Sequence, residues 1–308
     1  MLGSETKTQE ILKGLEQSLL RNINYSFQLF GKKNVITKEI IKHRKLQQAC
    51  EVIDCVDEIS MKDKPSDIIK GKNLSSMHLA IQSVRDRKSD AVLSFGNTGA
   101  LMALSQFNIK TLSEIKRPSI ASIWPNMKGE SIVLDLGANT KLSSKYLVDN
   151  AILGSSLASI LFKIEKPTIG LLNNGTEEIK GNEEIKEASD RLIGLNKLNL
   201  INYYGYIEGN DISTGKTNVV VTDGFTGNIA LKTAEGTAKL FQSHLNNAYK
   251  SSFTSKLGYL LSSISLRSVK ERLDPRVHNC GIFMGLNSLV VKCHGQSEFK
   301  GVSYAADI

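Results

Sequence analysis

Aromatic residues make up only 6% of this 308-residue chain, so a core large enough for its length has to be built from Ile, Leu, Val and Ala. Paired cysteines are missing as well. Cys50, Cys55, Cys280 and Cys293 form no Cys-x-x-Cys motif, so the sequence signals neither a zinc site nor a dithiol redox site. No stretch reads as a signal peptide, and four lone cysteines point to a reducing cytoplasm. No apolar run approaches the roughly 18 residues of a membrane-crossing helix, which leaves only surface attachment open. No Gly-x-Gly-x-x-Gly opens a dinucleotide site and no Gly-x-x-x-x-Gly-Lys-Ser/Thr opens a nucleotide-triphosphate loop. No Gly-x-Ser-x-Gly elbow places a serine nucleophile. Neither a metal nor an organic cofactor is expected. Internal repeats and low-complexity linkers are absent too.

What is present is a surplus of positive charge. Lys and Arg number 39 against 31 Asp and Glu, a formal net charge of +8. Such a surface favours acidic partners, whether nucleic acid, anionic lipid or an acidic protein, and it also serves solubility. Strand-like and helix-like apolar patterns alternate, which predicts βαβ units around a mostly parallel sheet.

The first segment reads as a helix. Thr6 and Gln9 fit a capping box, and Ile11, Leu12, Leu15 and Leu19 line one face. A strand at Tyr25–Phe30, a helix from Asn34 to Gln48 and a strand at Val52–Val56 follow. Further helices are expected at Ser75–Arg87, from Ala100, at Ser143–Phe162, Glu183–Leu192, Asn228–Tyr249 and Ser255–Arg272. Strands are expected at Asp90–Ser94, Ile120–Ile123, Ser131–Leu136, Thr168–Leu172, Leu198–Tyr203, Asn218–Thr222 and Asn287–Cys293. The chain closes on the start of another helix.

Four of these strands run into loops of small and polar residues: Ser94–Gly99, Asp135–Asn139, Asn173–Glu177 and Asp223–Asn228. In open parallel sheets, ligands bind outside the carboxyl ends of the strands, where glycines admit them to the backbone. The helix that follows presents N–H groups and a positive dipole end, which suits an anion such as phosphate. Each loop alone is also an ordinary Gly/Asn turn. Asp135 and Asp223 suit a base, a cation ligand or a helix-capping role. His294 suits a general acid or base, or a hydrogen-bonded structural histidine. His43, His78, His244 and His278 read as structural or surface residues. Near the end, Leu257, Leu260, Leu261 and Ile264 make an apolar stripe among Lys250, Lys256, Arg267, Lys270 and Arg272. That pattern suits a partner, an anionic membrane or an ordinary packed helix.

Taken together, these motifs resemble the phosphate acyltransferase family of PlsX type. The resemblance rests on Ser94–Met102, Asp135–Asn139, Gly170–Glu183, Asp223–Gly236 and His294-Gly295. Lys64-Pro65-Ser66, Ser75-Ser76-Met77 and Gly209–Ile212 add to it. It covers nearly the whole chain in order. It implies one three-layer α/β domain over residues 1–308, similar to isocitrate and isopropylmalate dehydrogenases, with a protruding helical hairpin at about Leu231–Arg272. It further implies a cytoplasmic homodimer that moves a fatty acyl group from acyl-acyl-carrier protein to inorganic phosphate for phospholipid synthesis. The acidic carrier protein would answer the basic charge. The hairpin would serve carrier protein or a peripheral membrane contact, beside a membrane glycerol-3-phosphate acyltransferase. No nucleic-acid partner is implied.

Direct attack by phosphate on the thioester needs no covalent nucleophile. Asn97, Thr98, Asn139, Asp223 and His294 are the expected catalytic set. Gly96, Gly99, Gly137, Lys180, Thr226, Gly227 and Asn228 are the expected phosphate and substrate contacts. Leu257, Leu260, Leu261, Ile264 and Arg267 are the expected partner or membrane contacts. Two departures stand out. The family opens on a strand and an Asp-Ala-Met-Gly-Gly-Asp loop, where only Met1-Leu2-Gly3-Ser4 stands here. An upstream extension supplying both is expected to raise stability and activity. Lys70 and Lys72 also replace arginines, losing the bidentate fork that matches phosphate. The rival readings are a short-chain phosphate acyltransferase using acyl-coenzyme A and a non-catalytic scaffold for carrier protein.

Overall fold

Ile11, Leu12, Leu15 and Leu19 recur at helical spacing, and in the computed structural model they are the buried face of helix α1 (Thr8–Arg21). The structure describes all residues except 1–7, 61, 64–67, 69–70, 72–73, 142, 273–279 and 294–297, together with the side chains of 264–272. Thr6 of the expected capping box lies outside that set. After α1 come β1 (Phe27–Gly31), α2 (Lys33–Ile40), α3 (Arg44–Gln48), β2 (Cys50–Asp54), α4 (Ser76–Arg85), β3 (Ala91–Ser94) and α5 (Thr98–Asn108). Next are β4 (Ser119–Asn126), β5 (Gly129–Leu134), α6 (Ser144–Phe162), β6 (Thr168–Leu172), α7 (Glu183–Lys197) and β7 (Asn202–Ile207). The chain ends with α8 (Gly209–Thr214), β8 (Val219–Val221), α9 (Gly224–Lys250), α10 (Phe253–Arg272), β9 (Cys280–Met284), β10 (Leu289–Cys293) and α11 (Phe299–Asp307).

These elements fall into two compact units, one of residues 1–122 with 279–308 and one of residues 123–278. In the first, β1 and β2 pair in parallel, and β3 pairs in parallel with β10. The short β9 lies antiparallel to both β10 and β4. α1 is held against α11 at close range. A Cβ on Gly14 would lie 2.5 Å from the Phe299 carbonyl oxygen and from Val302 Cβ, so only glycine admits α11 here. Polar bonds lock the same contact: Ser18 Oγ donates to Asp307 Oδ1 at 2.7 Å, and Phe299 N–H donates to Glu10 Oε2 at 3.0 Å.

The helix expected from Asn34 to Gln48 breaks. Lys42 N–H turns back to Glu39 O and His43 N–H to Ile40 O, the tighter i to i−3 pattern that ends α2. The break lets Ile36 and Ile40 on one side and Leu46 on the other all reach the core. His43 Nδ1 then meets Glu16 Oε2 of α1 at 2.7 Å.

His78 on α4 is only 6% exposed and its Nδ1 has no partner among the described residues. Burial, and then the positive charge of Arg85, hold its pKa below the ordinary imidazole value. A depressed folded-state pKa contributes stability that is present above the unfolded value of about 6.5 and is lost as pH falls below it. Melting temperature is therefore expected to drop between pH 7.5 and pH 5.5, and to drop less in His78→Leu. Equal slopes for the two proteins would refute this assignment.

The second unit is simpler. Its strands lie in the order β5-β8-β6-β7, and every pairing is parallel. Buried on both faces, they read as unbroken apolar runs such as Val219–Val221. α6 covers them through small residues at helical spacing: Ala151, Gly154 and Ala158. A Cβ on Gly154 would lie 2.6 Å from Val219 Cγ1 and 2.8 Å from Leu134 Cδ2, so the helix backbone rests on β5 and β8. α9 and α10 pair as a helical hairpin, with the Tyr249 and Tyr259 rings 5.1 Å apart.

Candidate active site

In the second unit, the turn after β5 is organised around one buried carboxylate. Asp135 is fully buried. Its Oδ1 accepts from Gly137 N–H at 3.0 Å and Ala138 N–H at 2.9 Å, and its Oδ2 accepts from Asn139 N–H at 2.8 Å. The Tyr146 hydroxyl donates to the same Oδ2 at 2.7 Å and accepts from Asn139 Nδ2 at 2.7 Å. Burial, followed by the adjacent Asp135 charge, pushes the Tyr146 phenol far above its ordinary pKa. It therefore stays a neutral donor. Asp135 holds the loop in shape, with its acceptor capacity turned onto backbone and phenol. Asn139, an expected catalytic residue, thus has its Nδ2 on the Tyr146 hydroxyl.

The start of α9 packs onto this turn. Gly224 N–H donates to Asn139 O at 2.9 Å. A Cβ on Gly224 would lie 2.6 Å from that oxygen and 2.7 Å from Asp135 Oδ2, and one on Gly227 would lie 2.0 Å from Asp135 O. Both positions require glycine. Gly137, at φ +128, opposes Asn228. Asp223 caps the helix: its Oδ1 accepts from Phe225 N–H at 2.9 Å and Thr226 N–H at 3.0 Å. The first amides of α9 are thus already satisfied. What this end offers a ligand is its dipole and the exposed side chains of Thr226 and Asn228.

Lys180 is exposed on the adjoining loop of the same unit. Its side-chain stem covers Gly175, where a Cβ would come within 2.9 Å of Lys180 Cγ. Gly181, at φ +90, sits against Asn173, whose amide is buried with no partner among the described residues.

In the first unit, β3 ends at the Gly96–Gly99 turn. Asn97 caps α5, its Oδ1 accepting from Ala100 N–H at 3.0 Å, while its Nδ2 donates to Ser60 O at 3.4 Å. The next two amides differ from those of α9. Thr98 N–H and Gly99 N–H meet no acceptor among the described residues. Two open donors at a positive helix end, beside a threonine hydroxyl and a glycine without a side chain, fit an anion. His294 lies outside the described residues. Among those described, no group of three or more His, Cys, Asp or Glu is placed to hold a metal ion.

The comparisons with known proteins agree with these motifs. The family model described as "Fatty acid synthesis protein" matches residues 1–308. A phosphate acyltransferase of Xanthobacter autotrophicus is 45% identical over 100% of this chain and 86% of its own length. One from Sinorhizobium medicae is 43% identical over 100% of this chain and 89% of its own. The chain belongs to the phosphate acyltransferase family of PlsX type.

It is therefore an acyltransferase acting on phosphate, and the fold agrees. A phosphotransacetylase from Streptococcus pyogenes superposes with TM-score 0.64 at 15% identity, over 98% of this chain and 91% of that one. A 4-hydroxythreonine-4-phosphate dehydrogenase from Burkholderia phymatum gives 0.52 at 12% identity, over 99% and 96%. The architecture is isocitrate dehydrogenase-like, as the motifs implied.

The four cysteines of this acyltransferase are poor nucleophiles. Burial pushes Cys50 and Cys280 up to about 12 and raises Cys55 and Cys293 as well. Thiols held protonated by burial are weak nucleophiles at neutral pH. The quadruple Cys→Ala variant is expected to keep phosphate-dependent acyl transfer within about tenfold of wild type, allowing for cavity costs in the core. An acyl group trapped on any cysteine during turnover would contradict direct attack. Sequence reasoning missed Tyr146, because its link to Asp135 across 11 residues leaves no local signature.

Proposed function

We propose that this phosphate acyltransferase takes a long-chain fatty acyl group from acyl carrier protein and passes it to inorganic phosphate, supplying acyl phosphate for phospholipid synthesis. A phosphate oxygen attacks the thioester carbonyl carbon, the tetrahedral oxyanion collapses, and the carbon–sulfur bond breaks to release the carrier thiolate. Phosphate is already an anion and a thiolate leaves readily, so binding and charge stabilisation carry most of the work. The open Thr98 and Gly99 amides of the first unit are the groups that serve phosphate in this reading.

The observation that carries the donor assignment is the exposure of the α10 leucines. Leu257, Leu260 and Leu261 are 50%, 68% and 79% exposed, on a chain of net charge +8. An apolar row on a basic helix fits an acidic acyl carrier or an anionic bilayer surface. Among the described residues, no helix is long and apolar enough to cross a membrane. The enzyme then works as a homodimer in the cytoplasm, touching the membrane from its inner face. Its product goes to a membrane glycerol-3-phosphate acyltransferase.

Turnover of palmitoyl-acyl-carrier protein is expected to exceed that of acetyl-coenzyme A by at least about 100-fold in kcat/KM, or roughly 2.7 kcal/mol of transition-state binding. Equal or faster use of acetyl-coenzyme A would overturn the donor assignment and favour a short-chain enzyme.

A further inference from the structure

The positive charge of this chain is concentrated. Residues 32–45 hold Lys32, Lys33, Lys38, Lys42, Arg44 and Lys45 against the single acid Glu39, so 14 residues carry +5 of the net +8. A surface kept charged for solubility alone intersperses the two signs. This stretch forms α2 and α3 of the first unit, where Ile36, Ile40 and Leu46 turn into the core. All six basic side chains are left exposed. Glu39 is already spent, accepting from Lys42 Nζ at 2.8 Å and from Gln9 Nε2 at 3.1 Å. Lys32 Nζ lies 3.6 Å from Glu58 Oε2. Lys33, Lys38, Arg44 and Lys45 make no ion pair among the described residues.

α2 starts close to the open amides of the same unit. Gly31 O accepts from Cys55 N–H at 3.1 Å, and Lys33 N–H donates to Asp54 Oδ1 at 2.8 Å. The start of α2 is therefore tied to the end of β2. The loop 55–60 leads from there to Ser60, whose carbonyl accepts from Asn97 Nδ2 at 3.4 Å. Asn97 caps α5, where Thr98 and Gly99 keep their N–H groups open. One short loop thus joins the basic surface to the anion-binding helix end.

The chemistry of the surface selects its occupant. Val35 and Ile41 are the exposed apolar residues among these cations. Residues six apart face different ways on a helix, so the two make no continuous stripe to bury in a bilayer. The stretch has no Phe, Tyr or Trp on which a nucleic-acid base could stack. Four exposed cations without acids of their own fit the carboxylates of an acidic protein.

We propose that α2 and α3 form the docking surface for the acidic carrier protein that delivers the acyl thioester. This rests on the carrier-protein reading of the donor. Carboxylates on the carrier meet Lys33, Lys38, Arg44 and Lys45, and their attraction steers the thioester towards the open amides of α5.

The test uses the full chain with palmitoyl-acyl-carrier protein as substrate. Apo-acyl carrier protein, which has no prosthetic arm, reports docking alone. Lys38→Glu/Lys45→Glu is expected to raise KM for the palmitoyl carrier and to weaken apo-carrier binding, each by at least about tenfold, with kcat within about twofold of wild type. Lys38→Gln/Lys45→Gln, which removes charge without reversing it, should fall between the two. Lys128→Glu/Lys197→Glu changes the net charge equally on exposed residues of the second unit. It is expected to stay near wild type on both measures, and to bind phosphatidylglycerol vesicles as well as the α2–α3 reversal does. Higher ionic strength should narrow the gap between the two reversals. Equal KM for the two reversals would overturn the proposal, as would a loss confined to vesicle binding. In either case continued use of palmitoyl carrier by the wild type leaves the donor assignment standing. A wild type that neither binds nor uses the carrier would overturn both.

Discussion

Gly227→Ala is expected to lower the melting temperature by roughly 6–12 °C and to abolish acyl transfer at the assay temperature. The alanine Cβ would lie 2.0 Å from the Asp135 carbonyl oxygen and 2.9 Å from Thr222 Cγ2. The first neighbour is backbone, anchored by the Asp135 bonds to its own turn, so it yields little. Overpacking costs typically 1–3 kcal/mol and more where backbone must move. A value of about 3 kcal/mol at roughly 2–4 °C per kcal/mol gives the expected drop. Gly236→Ala on the same helix is the control. Nothing lies within 4 Å of its Cβ position, and alanine in a helix interior is better than glycine by about 0.5–1 kcal/mol. The two variants should move in opposite directions. Matching shifts would mean that α9 does not rest on the Asp135 turn.

Asp135→Asn is expected to cost about 3 kcal/mol of stability and roughly 100-fold in kcat, with both losses together. The carboxylate accepts from three backbone N–H groups and the Tyr146 hydroxyl. An asparagine turns one acceptor oxygen into a donor that faces other donors. Hydrogen bonds to a charged group are worth about 1.5–3 kcal/mol each, and buried donors left unpaired cost about 1–3 kcal/mol. Tyr146→Phe, which removes one of the four donors, should fall between wild type and Asp135→Asn on both measures. A general base would behave differently: the asparagine variant would fold normally and lose only rate. Thermal melts and kcat measured on the three proteins separate the two roles.

Which parts of this arrangement were legible beforehand follows from how local their causes are. Thr168–Leu172 is legible to the residue, because a short apolar run between turns has few alternatives. α6 was placed to within one residue because Ser143 caps it, accepting from Tyr146 N–H at 3.3 Å. The start of α9 was placed at Asn228, four residues late. Gly224 and Gly227 weaken helical propensity, yet contact with the Asp135 turn demands them. β9 was missed because Cys280–Met284 is short, contains Gly281 and is held by antiparallel partners far away in sequence. The loops themselves were visible as Gly/Asn clusters. Which of their amides stay open was not, since that depends on Asp135 and Asp223 turning inward while the α5 start keeps Thr98 and Gly99 unspent.

The pairing of α1 with α11 sets a schedule for biosynthesis. Ser18 and Asp307 are separated by 289 residues. At roughly 5–20 residues per second, a ribosome takes on the order of 15–60 s to make that stretch. For all of that time Gly14 and its flanking leucines lack the surface that Phe299 and Val302 will supply. The second unit is continuous from 123 to 278 and leaves the tunnel with all its strands present. It is therefore free to fold while the first unit still waits for its last helix. The nascent chain therefore carries the α11-facing side of α1 uncovered through most of translation, while its other side already meets α2 and α3.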